Sequence, residues 1–163
     1  MTAFKLTELQ VRLFGLQTLC SQENLDVGRS AGQILSQFVM LNPHSRDYSS
    51  RLEELLRQTK RDDGLYDNIL LAQILIIPDS QIRMSRLLDL NTRYKKRDAG
   101  IQSLYEVGLL KKQLWLEDKD NTEKKKKLLT ETRDVLTSFL SLYPDSFYAD
   151  SVKKVLAGLP KPE

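Results

Sequence analysis

Of the 163 residues, one is cysteine, one is histidine and one is tryptophan, and these shortages remove whole classes of chemistry. A lone Cys20 excludes an internal disulfide and a thiolate zinc site. Its place in the run Leu9, Leu13, Leu16, Cys20 makes it a small core residue rather than a nucleophile. His44, the single imidazole, sits in a turn between apolar segments, and a metal site needs several convergent ligands. No run approaches the roughly 18–20 apolar residues of a membrane-spanning helix. Nor do the first residues read as a secretory signal, because Glu8, Arg12 and several glutamines interrupt the apolar positions. Membrane attachment is therefore expected only indirectly, through a leader or lipid anchor not present in this chain. No Gly-rich phosphate loop, nucleophile elbow or His-Glu zinc helix occurs. Asp62-Asp63 and Asp118-Asp120 lack the ligand series and glycine of a calcium loop. The expectation is a protein that is not an enzyme and has no catalytic, cofactor-binding or metal-binding residues.

What is present is helical. The composition, 40% hydrophobic and 29% charged, is that of a folded, charge-rich chain long enough for a core without disulfides or metals. Charge is uneven: residues 1–80 carry 8 Lys and Arg against 10 Asp and Glu, and the remainder 17 against 12. The basic residues cluster as Arg93, Lys95, Lys96, Arg97 and as Lys124 to Lys127. Such clusters either mark anionic partners or form solvated loops and helix faces; the second is the plainer reading. Nucleic acid is not the expected partner, since Tyr94 is the only clear aromatic interleaved with the basic residues.

One short phrase punctuates the chain three times: Asn42-Pro43-His44-Ser45, Ile77-Pro78-Asp79-Ser80 and Tyr143-Pro144-Asp145-Ser146. Two copies extend into a longer match, Phe38-x-x-Leu41-x-Pro43-x-Ser45 against Phe139-x-x-Leu142-x-Pro144-x-Ser146. The prolines lie 35 and 66 residues apart, close to one and two units of the roughly 34-residue period of stacked helix pairs. Proline lacks an N–H and clashes with the preceding turn, so it stops a helix. Ser45, Ser80 or Ser146, two residues on, is expected to cap the next one. Very short turns of this kind force neighbouring helices antiparallel, and repetition builds a layered array.

The apolar period places the helices. The first is expected over about 7–22. A second over 25–41 carries Leu35 (or Ile34), Phe38 and Leu41, with Gly28 and Gly32 spaced for close approach to the first. A third over 45–60 buries Tyr48, Leu52, Leu55 and Leu56. The apolar stretch 65–77 ends at Pro78, and a helix from Ser80 fades at Tyr94-Lys95-Lys96-Arg97. A long helix from Asp98 to about Trp115 follows, with Trp115 as a packing residue near its end. The next, capped by Thr122, shows the stripe Leu128, Thr132, Val135, Phe139, Leu142, which makes Phe139 and Leu142 core anchors. Lys124 to Lys127 lie in its first turns, where the helix dipole disfavours cations. A last helix from Ser146 ends at Gly158 and Pro160. The expectation is an all-α fold of about eight helices over residues 1–163, in one helical-repeat domain.

The stretch Leu136 to Asp150, with Tyr143-Pro144-Asp145-Ser146-Phe147-Tyr148-Ala149 at its centre, resembles the Tyr-Pro-x-Ser-x-Tyr-Ala signature of bacterial tetratricopeptide-like (TPR-like) repeats, the version familiar from cell-envelope proteins. Arg93 to Glu106 resembles a degenerate second copy, with Lys95 in place of the proline. Tyr94 and Tyr143 are 49 residues apart rather than 34, which implies longer helices or an altered phase. The resemblance implies antiparallel helix pairs stacked as a right-handed superhelix and a non-enzymatic protein-protein interaction scaffold. It also implies a periplasmic or outer-membrane-associated setting, with the cytoplasm as the alternative. The alternative function is a basic-faced helical module binding nucleic acid or anionic lipid.

Overall fold

The computed structural model describes residues 28–118 and 122–160. Among them are seven helices and no strand: α1 Gly28–Met40, α2 Tyr48–Gln58, α3 Tyr66–Leu75, α4 Ser80–Arg93, α5 Asp98–Glu117, α6 Thr122–Leu142 and α7 Ala149–Ala157. The all-helical class follows the sequence expectation. The helix expected over 7–22, and Cys20 within it, lie outside the described residues. Two compact units divide the chain between Ile69 and Leu70, a point inside α3.

In the first unit α1 packs on α2. Leu35 and Phe38 of α1 and Leu52 and Leu55 of α2 are buried, as their helical spacing requires, while Tyr48 and Leu56 are half-buried. Thr59, buried at the end of α2, satisfies its hydroxyl by donating to the Leu55 carbonyl (2.7 Å). Gly32 is exposed, and nothing among the described residues lies within 4 Å of the place its Cβ would take. The close approach expected there is not made by any described residue.

In the second unit each helix from α4 onward packs on the next. Leu71 and Ile74 of α3, Met84, Leu87 and Leu90 of α4, and Ala99, Val107 and Leu110 of α5 form one apolar cluster. Leu104 of α5, Leu136 and Phe139 of α6, and Tyr148, Val152 and Leu159 form a second. Because α5 is covered by α4 and by α6, it buries most of its circumference rather than one stripe, and its interior positions include small residues. An added Cβ at Gly108 would lie 2.4 Å from Leu136 Cδ2, so glycine here sets the spacing of α5 and α6. Beyond α7, the Arg133 guanidinium donates to the Leu159 carbonyl (2.9 Å) and to that of Pro160. The chain after the last helix is thereby tied to α6. Gly158 caps α7 in a right-handed conformation, so that position draws on no conformation peculiar to glycine.

Leu142 departs from the expectation. Phe139 is fully buried, but Leu142 is 61% exposed. At about 100° per residue, Thr132, Leu136, Phe139 and Tyr143 span a sector about 60° wide, and Leu142 lies about 60° beyond its edge. Phe139 is a core anchor and Leu142 is not.

Candidate protein-binding surface

The repeated phrase acquires its meaning from hydrogen bonds. In the Asn42 turn, Ser45 N–H donates to the Asn42 carbonyl and Tyr48 N–H to the Ser45 carbonyl, and Arg51 N–H to the Asp47 carbonyl begins the helix. In the Tyr143 turn the same three bonds run from Ser146 to Tyr143, from Ala149 to Ser146 and from Val152 to Tyr148. A third copy, without proline, runs from Asp63 to Lys60, from Tyr66 to Asp63 and from Ile69 to Leu65. The Tyr94 turn keeps the first bond, Arg97 N–H to the Tyr94 carbonyl, and then enters α5 directly. One double turn therefore recurs on three different sequences, two in the first unit and one in the second.

This geometry corrects the capping expectation. The carbonyls of Ser45 and Ser146 are consumed by the second turn, so the helices begin three residues later, at Tyr48 and Ala149. Neither serine is an N-cap. Pro78 belongs to a different, shorter connection in which Asp79 is the cap. Its carboxylate accepts from Gln81 N–H and Ile82 N–H, both at 2.8 Å, and Ser80 is the first helical residue.

Around the Tyr143 turn the signature residues divide between inside and outside. Tyr148 and Ala149 are buried. Tyr148 stacks on Tyr105 of α5 with centroids 4.6 Å apart, and Phe139 meets Tyr143 edge-on at 5.4 Å. Such ring pairs add to what burial alone supplies. The Tyr143 hydroxyl accepts from the Asn91 amide of α4 (3.1 Å), and the same amide nitrogen donates to the Gly100 carbonyl at the start of α5 (2.8 Å). Asn91 thus links α4, α5 and the Tyr143 turn at one point. Sequence reading missed it, because a single Asn on an amphipathic helix carries no signal. Leu142 and Phe147, 61% and 66% exposed, flank this framework and present apolar surface to solvent.

The basic clusters are partly compensated. Arg93 pairs with Asp89 (2.8 Å), Lys124 with the nearly buried Asp118 (3.3 Å), and Lys127 lies 3.9 Å from Glu131. The Arg97 guanidinium lies over the Tyr94 ring at 5.6 Å and Lys125 over the Trp115 ring at 6.0 Å. Trp115 packs on the second apolar cluster, as the sequence suggested. Lys111, 15% exposed, pairs with Glu131 across α5 and α6, and that hydrogen bond holds the Glu131 carboxyl below its ordinary range. In the first unit Arg51 does the same to Asp47, whose pKa falls to about 2. Both members of that pair are exposed, so it stabilises little. His44 is exposed in its turn, where its backbone N–H donates to Asn42 Oδ1 (3.0 Å). Among the described residues no group of three or more His, Cys, Asp or Glu could hold a metal ion, and no helix is long and apolar enough to cross a membrane. Comparisons with protein-family models, with curated proteins and with solved structures found no match.

Proposed function

We propose that the chain is a TPR-like helical-repeat scaffold that binds a partner protein and carries no catalysis of its own. The observation that supports it is the double turn: one hydrogen-bond pattern made by two copies of the Pro-x-Ser phrase and by the Lys60 segment that lacks it, each joining consecutive helices. Recurrence of one connection with one offset is how repeat arrays keep successive helix pairs in register. Such arrays use their exposed faces for recognition, and Leu142 and Phe147 place two large apolar side chains beside the turn that carries the signature. On this reading the helix pairs run antiparallel and stack as a superhelix over the whole chain. A bacterial cell-envelope setting is part of the proposal and rests on the resemblance of the Tyr143 to Ala149 segment alone.

The test is site-specific photo-crosslinking of the full chain in cells, with the crosslinker at position 147 and a control at exposed Ser49. A discrete protein adduct at 147, lost on Leu142→Asp, supports the scaffold. No protein adduct at 147, or equal adducts at both positions, overturns it. Submicromolar binding of duplex nucleic acid near physiological salt, abolished when Lys124 to Lys127 become Gln, would replace it with the basic-module alternative.

A further inference from the structure

We infer that Asn91 is a positioning residue for the surface at Leu142 and Phe147. Its amide ties the turn that carries them to the α4–α5 connection, so a residue on α4 sets how firmly that surface is held for a partner. This rests on the scaffold reading and adds what controls its site. A side-chain amide has two hydrogens, and two acceptors lie within reach: the Gly100 carbonyl (2.8 Å) and the Tyr143 hydroxyl (3.1 Å). The first acceptor is fixed. Ser103 also donates to it (2.7 Å), and Gly100 lies so close to the Tyr94 carbonyl that no Cβ fits between them. Asn91 therefore reaches Tyr143 from the place where α4 and α5 meet most tightly. The second acceptor belongs to the turn. Tyr143 N–H donates to the Phe139 carbonyl (2.8 Å), and the Tyr143 carbonyl accepts from Ser146 N–H (3.2 Å). Leu142 immediately precedes this closed segment and Phe147 immediately follows it.

The tie is not needed to build the turn. The Asn42 and Lys60 turns make the same three backbone hydrogen bonds without a phenol at that position. Asn42 uses its side chain locally, accepting from His44 N–H (3.0 Å), and a lysine side chain has no acceptor atom. What the phenol adds is the location of its turn relative to the neighbouring helix pair. The apolar pair and the tie also occur on the same turn. The positions that match Leu142 and Phe147 are Leu41 and Arg46 in the Asn42 turn, and Thr59 and Gly64 in the Lys60 turn. A surface held in place before its partner arrives loses less freedom on binding, which gives the tie a part in recognition.

Amide hydrogen exchange on the full chain, resolved by residue, tests the tie, and crosslinking from position 147 tests its consequence. Tyr143→Phe removes only the hydroxyl and keeps the ring on Phe139; Asn91→Ala removes the donor. Each should speed exchange at the Ser146 amide by about fivefold, the factor that one ordinary hydrogen bond supplies. The double variant should exchange no faster than either single one, because all three lack the same bond. Adduct yield at position 147 should fall by about two- to fivefold in each. Val107→Ala, a truncation in the buried middle of α5, is the stability control. It should lower the urea midpoint yet leave Ser146 exchange and adduct yield as in the parent chain. Unchanged Ser146 exchange in either single variant, additive effects in the double, or an equal loss of adduct in Val107→Ala overturns the inference. Faster exchange with full adduct yield overturns it too, since recognition is then indifferent to the tie. If the parent chain gives no adduct at 147, the scaffold reading fails before any substitution and the inference falls with it. If the parent gives one that both variants retain, the inference alone fails.

Discussion

Gly100→Ala is the substitution that most directly examines how the α4–α5 connection is built. In a helix, Ala is favoured over Gly by about 1 kcal/mol, so sequence reasoning alone anticipates a gain. The structure reverses the sign. A Cβ on Gly100 would lie 1.9 Å from the Tyr94 carbonyl oxygen, 2.4 Å from its carbon and 3.0 Å from Tyr94 Cβ. These are backbone atoms and the first side-chain atom, so no rotamer change relieves the clash. The Tyr94 carbonyl is also held by Arg97 N–H (2.9 Å). The start of α5 must therefore withdraw, which breaks the bond from Asn91 to the Gly100 carbonyl and loosens the bridge to Tyr143. Overpacking of about 1–3 kcal/mol, plus about 1 kcal/mol for the hydrogen bond broken, less about 1 kcal/mol of propensity gain, gives a net loss of about 1–3 kcal/mol. Urea unfolding followed by Trp115 emission reports the second unit directly. A loss below about 0.5 kcal/mol, or any gain, would show that Gly100 is not pressed against Tyr94. The contrasting substitution is Gly32→Ala, exposed in α1 with nothing described within 4 Å; it should stabilise by about 0.5–1 kcal/mol, read by far-ultraviolet dichroism.

Three further outcomes follow from the same structure. Asp79→Ala should cost about 0.5–2 kcal/mol through the two backbone N–H groups it leaves unmet, while Ser80→Ala should be nearly silent; thermal melts of the two variants decide which residue caps α4. Phe139→Ala, fully buried among Tyr105, Tyr143 and Tyr148, should cost about 3–5 kcal/mol in chemical denaturation, whereas Leu142→Ala should stay within about 0.5 kcal/mol. Because the Glu131 pKa is depressed in the fold, its contribution to stability is present above the unfolded value near 4.5 and disappears as pH falls through the lower folded value; urea midpoints measured across the acid range should fall less steeply for Glu131→Gln than for the parent chain.

Helix class and approximate helix positions are written in the apolar period of the chain, because a 3.6-residue repeat of buried positions is a local property. Leu52 and Leu55, Leu35 and Phe38, and Phe139 were identifiable from spacing and are buried. The stops at Pro43, Pro78 and Pro144 were equally legible, since a missing N–H acts on its own helix. The starts at Ser80, Asp98 and Thr122 were legible too, but those at Tyr48 and Ala149 were not, nor was the capping residue of α4. Which of Asp79 and Ser80 caps α4 depends on one φ/ψ pair, and whether a serine caps or turns depends on the carbonyl it must supply. The Lys60 turn lacks proline and read as a polar break at Arg61-Asp62-Asp63-Gly64, not as a copy of the same turn, although Asp63 precedes Tyr66 by the offset that separates Ser45 from Tyr48. Asp63 Oδ1 accepts from Leu65 N–H (2.8 Å), a local bond that Asp is suited to make in a turn.

The sequence by itself thus determined an all-helical chain, its breaks and its dominant buried stripes, each set by the covalent and steric character of residues near in the chain. Tertiary structure alone decided that Leu142 faces water while Tyr143 turns inward, that Gly100 and Gly108 are spaces rather than weak points, and that Asn91 joins α4, α5 and the Tyr143 turn. Each of these depends on which residue from a distant segment arrives at the same place, and burial, close approach and pairing are properties of that meeting, not of either residue alone.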